Sequence, residues 1–285
     1  MFEIIDLPSI PDLATTDMMP GPAAVEFTDI RFAYRSAEIE VPESLLPQSG
    51  TEQAPSVQVL EGTSFRIEAG QVAGLVGPSG SGKSTIAALL AAQCHPDEGV
   101  VAIGGVDLRD LGPEASDRVA YVSQDSHLFN DSVAANLRYA RPEATDDELW
   151  AVLKQARIAD LVESLPDGLE TVAGEAGYRF SGGERQRLAI ARMLLRPSAI
   201  VILDEATAHM DAGSEAEVQA AVAEALSGRT ALVIAHRLST VIRADIIFVL
   251  DDGVIVEQGT HAELLAENGR YAQLYRIQLD GGTGP

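Results

Sequence analysis

The chain has 285 residues, 46% of them hydrophobic, enough to bury one large core or two modest ones and too apolar for a disordered chain. Against 20 Lys and Arg stand 43 Asp and Glu, a formal charge of −23, and a surface that acidic repels a nucleic-acid backbone. One cysteine excludes an intrachain disulfide, no Cys/His spacing suits zinc, no apolar run approaches a membrane span, and the N-terminus has no basic residue before Arg31 to start a signal peptide, so composition points to a soluble cytosolic chain.

Residues 1–23 pass from a short apolar start into prolines and acids and read as a linker. "AVEFTDIRFAY" (24–34) alternates as a strand does. Residues 35–58 hold three prolines without a period and read as a surface excursion. From residue 59, short apolar strands alternate with helices; the strands include "QVAGLVG", "VAYVSQ", "AIVILDE", "ALVIAH" and "IIFVLDDG". Thr145 with Glu148, and Ser214 with Glu217, have the spacing of capping boxes. Behind the first, Leu149, Val152, Leu153 and Ala156 form one helical stripe. Cys94 reads as a small buried hydrophobe on a helix, His95, His127, His209 and His261 as surface or loop residues, and 279–285 as a frayed tail. The alternation predicts an α/β core with a largely parallel sheet.

Gly77-Pro78-Ser79-Gly80-Ser81-Gly82-Lys83-Ser84 fits G-x-x-x-x-G-K-[ST], between an apolar strand and the apolar helix "STIAALLAAQC" that Ser84 and Thr85 open. That is the setting of a P-loop. Glycines let backbone N–H groups wrap phosphates; Lys83 is placed for the β and γ oxygens and the Ser84 hydroxyl for Mg²⁺. Such a loop needs a carboxylate ending another buried strand, and "AIVILDE" supplies two: Asp204 for the metal's water shell and Glu205 to polarise the attacking water. Gln124 in "YVSQD" and His236 in "VIAHR" also end strands, where ligand sites of open α/β sheets gather. Gln124 suits the metal or the attacking water, and His236 the γ-phosphate; taken alone, each is more often a satisfied strand-end side chain.

"FSGGERQR" (180–187) is a second glycine-rich helix start, chemically suited to phosphate. The order of P-loop, Gln-ended strand, S-G-G before a helix, apolar run into Asp-Glu, and apolar run into His resembles the ABC ATPases over roughly residues 24–278. "FSGGERQRLAIARMLL" looks like their signature motif and following helix. The resemblance implies a P-loop ATPase core, an N-terminal antiparallel β subdomain and a helical subdomain at about 125–195. It also implies a head-to-tail pair of domains, in which Ser181, Gly182, Gly183 and Glu184 face the γ-phosphate of ATP held by the partner's P-loop.

Other positions fit the family. Tyr34 matches the aromatic that stacks on adenine, the alternative being an ordinary strand-end tyrosine. "TVAGEAG" resembles a segment of exporter-type members in which Glu175 lies near the membrane-domain contact, and "LDEATAHMD" places Asp211 last in the stretch after the catalytic strand. Phe180 stands where Leu is usual, Glu184 where Gln is usual, and Ala208-His209 where Ser-Ala is commoner, which bears on contacts across the dimer rather than on the reaction. "MFEIIDLP" is similar to the segment joining an exporter's last transmembrane helix to its ATPase. The expected protein is therefore the MgATP-hydrolysing motor domain of an exporter, at the cytoplasmic side of the membrane, paired with a second such domain and a membrane domain. A separately encoded subunit and a soluble ABC ATPase outside transport are the alternatives.

Overall fold

The computed structural model describes residues 21–35, 56–123, 127–174, 178, 180–196, 198–204, 212–235 and 240–281. It is an α/β fold with two sheets. Strands β1 (Val25–Arg35) and β2 (Ser56–Ile67) pair antiparallel, and β1 also pairs antiparallel with β4 (Glu98–Ile103), which carries the short β5 (Val106–Asp107). The larger sheet has six strands in the order β10-β9-β3-β8-β7-β6. These are β3 (Val72–Val76), β6 (Val119–Val122), β7 (Ile200–Asp204), β8 (Thr230–Ile234), β9 (Ile246–Asp251) and β10 (Val254–Gly259). All neighbours in it are parallel except β10 and β9. The five contiguous apolar runs read from the sequence are its five parallel strands, as expected where a sheet is covered on both faces.

Residue alternation along the sheet separates two cores. Ile200, Ile202, Leu75, Leu232 and Phe248 pack with α1 (Lys83–Leu90) and the antiparallel sheet. Val201, Leu203, Val233 and Val249 pack on the other face with α4 (Val133–Arg138), α5 (Asp146–Gln155), α6 (Ala159–Ser164), α7 (Gly182–Leu195) and α8 (Ala212–Leu226). Two short helices, α2 (Leu108–Leu111) and α3 (Ala115–Arg118), lead into β6, and α9 (His261–Glu267) and α10 (Arg270–Gly281) follow β10.

Helix α5 starts where its cap predicts. Thr145 Oγ1 accepts from the Glu148 N–H at 3.4 Å while Glu148 Oε2 accepts from the Thr145 N–H at 2.8 Å. Its stripe is buried, Leu149, Leu153 and Ala156 completely, each leucine contributing about 1.5–3 kcal/mol. The helix start expected at Ser214 lies earlier: α8 begins at Ala212, which puts Ser214 inside the helix, and Glu217 pairs with the buried Arg187 of α7, tying the two helices together. Two unforeseen capping boxes start α7, at Ser181 and Glu184, and α9, at Thr260 and Glu263.

Three further expectations change. The excursion is shorter at both ends, because Arg35 continues β1 and Ser56 begins β2. Cys94 is partly buried but lies beyond α1, which stops at Leu90 as Ala92 turns left-handed at φ 54°. His261 opens α9 rather than lying loose, its Nδ1 2.7 Å from the Tyr271 hydroxyl. His209 lies outside the described residues.

Candidate nucleotide-binding site

Strand β3 delivers the chain into residues 77–82, and Lys83 begins α1 directly behind them. A side chain at Gly77 would drive its Cβ to 2.0 Å from the Leu250 carbonyl, and Gly82 precedes the helix in a left-handed conformation at φ 106°, so both positions need glycine. No side chain caps α1 and no acid lies in its first turn, which leaves the partial positive charge of the helix start uncompensated. The Ser81 hydroxyl is buried without a hydrogen-bond partner among the described residues. Lys83 is also buried, its Nζ donating to the Gly77 and Pro78 carbonyls at 2.9 and 2.7 Å. An orphaned hydroxyl, an uncapped helix and an inward-turned ammonium are the donor set a polyphosphate fits.

Above the loop opens a cleft of about 360 Å³, within the usual span of small-molecule sites. Ser79, Gly80, Gly82, Lys83, Ser84 and Thr85 form its floor, with Tyr34 and Val59 from the antiparallel sheet and Ile234 from β8 at its sides. Tyr34, next to last in β1, is half-exposed, edge-on to Phe32, its hydroxyl 3.3 Å from Thr85 Oγ1. One tyrosine thus bridges the small sheet and the phosphate-loop helix, with ring surface still exposed. Ser84 is exposed at the cleft.

Asp204 ends β7, and the Tyr121 hydroxyl on the adjacent β6 donates to its Oδ2 at 2.9 Å. Burial and the Asp204 carboxylate both push the Tyr121 hydroxyl upward, so it stays protonated and donates. Gln124, Glu205 and His236 lie outside the described residues, as do Glu175 and Asp211. Their chain neighbours are informative: β6, β7 and β8 end at Val122, Asp204 and Ile234 and stand side by side next to β3 in the sheet order β3-β8-β7-β6.

The second glycine-rich stretch starts α7. Ser181 Oγ accepts from the Glu184 N–H at 3.3 Å, and Glu184 Oε2 accepts from the Ser181 N–H at 2.7 Å. Ser181 and Gly182 are exposed and Gly183 is buried. Among the described residues, none of 181–184 lines the phosphate-loop cleft.

The ABC transporter family model matches residues 60–208, more than half of the chain, and spans both the phosphate loop and the S-G-G helix. The chain belongs to the ABC transporter family. It is 42% identical over 286 residues to an ATP-dependent lipid A-core flippase of Burkholderia thailandensis, covering 100% of this chain and 45% of that protein. To the same-named protein of Salmonella typhimurium it is 43% identical over 281 residues, covering 98% and 45%. Among solved structures it is similar to a bacterial Atm1-family ABC exporter with ATP bound, at a TM-score of 0.78 and 37% identity, covering 98% of this chain and 45% of that one. The chain thus spans less than half the length of these relatives, and no helix among its described residues is long and apolar enough to cross a membrane.

Two departures from the expected signature, Phe180 and Glu184, have local packing roles. Phe180 is buried edge-on to Tyr178, with ring centroids 4.7 Å apart, so the aromatic in place of the usual Leu fills a local aromatic pair. Glu184, where the resemblance expects Gln, makes the reciprocal cap, which places a carboxylate at the start of α7. Tyr121, Val59 and Ile234 escaped the sequence reading. Val59 and Ile234 look like ordinary strand residues, and the partner of Tyr121 is on another strand, so only the β6–β7 register reveals it.

Proposed function

We propose that this chain is the ATP-hydrolysing motor domain of an ABC exporter, with residues 24–278 as the domain and two copies, or two closely related chains, pairing head to tail around MgATP. The observation that carries the reading is the separation of two phosphate-suited helix starts: the cleft over residues 77–85 is lined by the P-loop and not by Ser181–Glu184. A signature outside its own cleft is available to a partner's nucleotide.

In this reading Tyr34 stacks on the adenine. The N–H groups of residues 77–85 hold the phosphates, and Lys83 turns from the loop carbonyls to the β and γ oxygens. Ser84, Gln124 and Asp204 hold magnesium. The exposed Ser84 hydroxyl and the strand-end carboxylate are hard oxygen donors of the kind that ion takes. A magnesium ion held by these residues would supply positive charge to offset that of the phosphates. Glu205 polarises the attacking water and accepts its proton, His236 hydrogen-bonds the γ-phosphate, and Ser181, Gly182, Gly183 and Glu184 of the second chain close the site.

The relatives' membrane-protein names support a position on the cytoplasmic side of a membrane, with transport through a membrane domain. A groove of about 550 Å³ suits that domain's docking. It exposes Phe129 and Tyr139, their tilted rings 4.8 Å apart between centroids, with the Arg192 guanidinium 5.7 Å over the Phe129 ring. The loop beside it is bridged through Ser132 and Val172 to the segment leading towards Glu175.

The test is Glu205→Gln. The amide is nearly isosteric but takes no proton, so ATP should bind with unchanged affinity, persist, and hold two chains together on size exclusion with Mg²⁺. Turnover at the wild-type rate would place the base elsewhere.

A further inference from the structure

The Asp204 carboxylate makes one hydrogen bond among the described residues, and it goes to a side chain with no part in the family resemblance. Tyr121 lies opposite Ile202 in the parallel β6–β7 pair, so the two side chains share a sheet face. Asp204, two residues past Ile202, is on that face too. The advance along β7 is about 6.6 Å, a distance that tyrosine spans with its hydroxyl and that phenylalanine, leucine or valine leaves open. The face is the one covered by α1, where Val119 and Ile202 pack beside Ile86 and Leu90. The phosphate-loop helix and the Asp204 carboxylate are therefore on the same side of the sheet.

Strand β6 is the sheet edge and Tyr121 is 37% exposed, so water is within reach of that side chain. The bond commits one carboxylate oxygen to the hydroxyl and so biases the orientation of the side chain, while the other oxygen has no partner among the described residues.

We propose that Tyr121 is a positioning residue for the metal-bearing carboxylate, its hydroxyl orienting Asp204 for a divalent cation bound with ATP. The proposal rests on the MgATP reading above, and its test is arranged so that the two can fail separately. The full chain is titrated with a fluorescent non-hydrolysable ATP analogue, once with Mn²⁺ and once in EDTA. Tyr121→Phe keeps the ring and removes only the hydroxyl. It should weaken binding of the Mn²⁺–nucleotide about three- to tenfold, leave metal-free nucleotide binding within about twofold, and lower the melting temperature little. In an Asp204→Asn background the same change should add nothing, since the pair acts as a unit. Equal Mn²⁺–nucleotide affinity in wild type and Tyr121→Phe overturns the positioning role while leaving the ATPase reading intact. An equal loss with and without Mn²⁺, or the same loss in the Asp204→Asn background, also overturns it. A wild-type chain whose nucleotide affinity ignores Mn²⁺ overturns both.

Discussion

Glu184→Gln separates the stability of the signature helix from its reception of phosphate. The Glu184 carboxylate lies 2.7 Å from the Ser181 N–H, and the Ser181 hydroxyl caps the same turn at 3.3 Å. A γ-phosphate that hydrogen-bonds Ser181 would then stand about 6 Å from that carboxylate, by the addition of ordinary hydrogen-bond lengths. Two unit negative charges at that distance repel by about 0.7 kcal/mol in bulk water and about 2.8 kcal/mol at the effective dielectric of a protein surface. Glutamine retains the capping geometry and forfeits only the carboxylate's attraction to the helix dipole, about 0.3–1 kcal/mol. The substitution should therefore cost a few degrees of melting temperature at most and tighten the ATP-bound dimer by about three- to a hundredfold per site. The assay is sedimentation of the pair in a Glu205→Gln background with MgATP, at low and high salt. The gain should shrink at high salt, where the screening length falls to about 3 Å near 1 M. An unchanged or weaker dimer at both salts refutes the premise that phosphate approaches this helix.

Tyr34→Ala should weaken ATP binding by about 1–3 kcal/mol, the range of base–aromatic stacking, with little discrimination between ATP and GTP; an unchanged titration would return Tyr34 to a strand-end role beside Thr85. Leu153→Ala, at a completely buried position, should cost about 2–5 kcal/mol in urea unfolding, whereas Lys154→Ala next to it on the exposed face should stay within about 0.5 kcal/mol.

The parallel sheet was legible because strands buried on both faces are written as unbroken apolar runs, and each run here stops at a chemically distinctive residue. Boundaries were less so. Ser56, which opens β2, follows a proline and Val57 after it is largely exposed, so the start of β2 is indistinguishable from the excursion before it. Serine and glutamate three residues apart mark a helix start or merely sit within one turn. At Thr145 the first holds, and at Ser214 the second, because Glu217 is taken by Arg187 of another helix. Alanine carries no stop signal, yet Ala92 ends α1. In the site, the P-loop is a local backbone device and can be read from consecutive residues. The Tyr121–Asp204 bond depends on strands 83 residues apart in sequence, and appears only once their register is known.

That the signature of one chain completes the phosphate site of another is tested most directly by mixing two inactive chains. Lys83→Ala ruins the P-loop and keeps the signature; Ser181→Arg keeps the P-loop and blocks the signature with a bulky side chain. Each homodimer has two defective sites. In a mixed dimer, one site carries both defects and the other joins the intact loop of the Ser181→Arg chain to the intact signature of the Lys83→Ala chain. Random pairing of equal amounts makes half the dimers mixed, each with one good site of two, so ATPase activity should recover to about a quarter of wild type if the sites act independently. Activity staying at the level of the separate variants, with mixed dimers shown to form, would contradict independent shared sites, and an ATP-bound structure with Ser181 beside the γ-phosphate of its own P-loop would contradict the sharing itself.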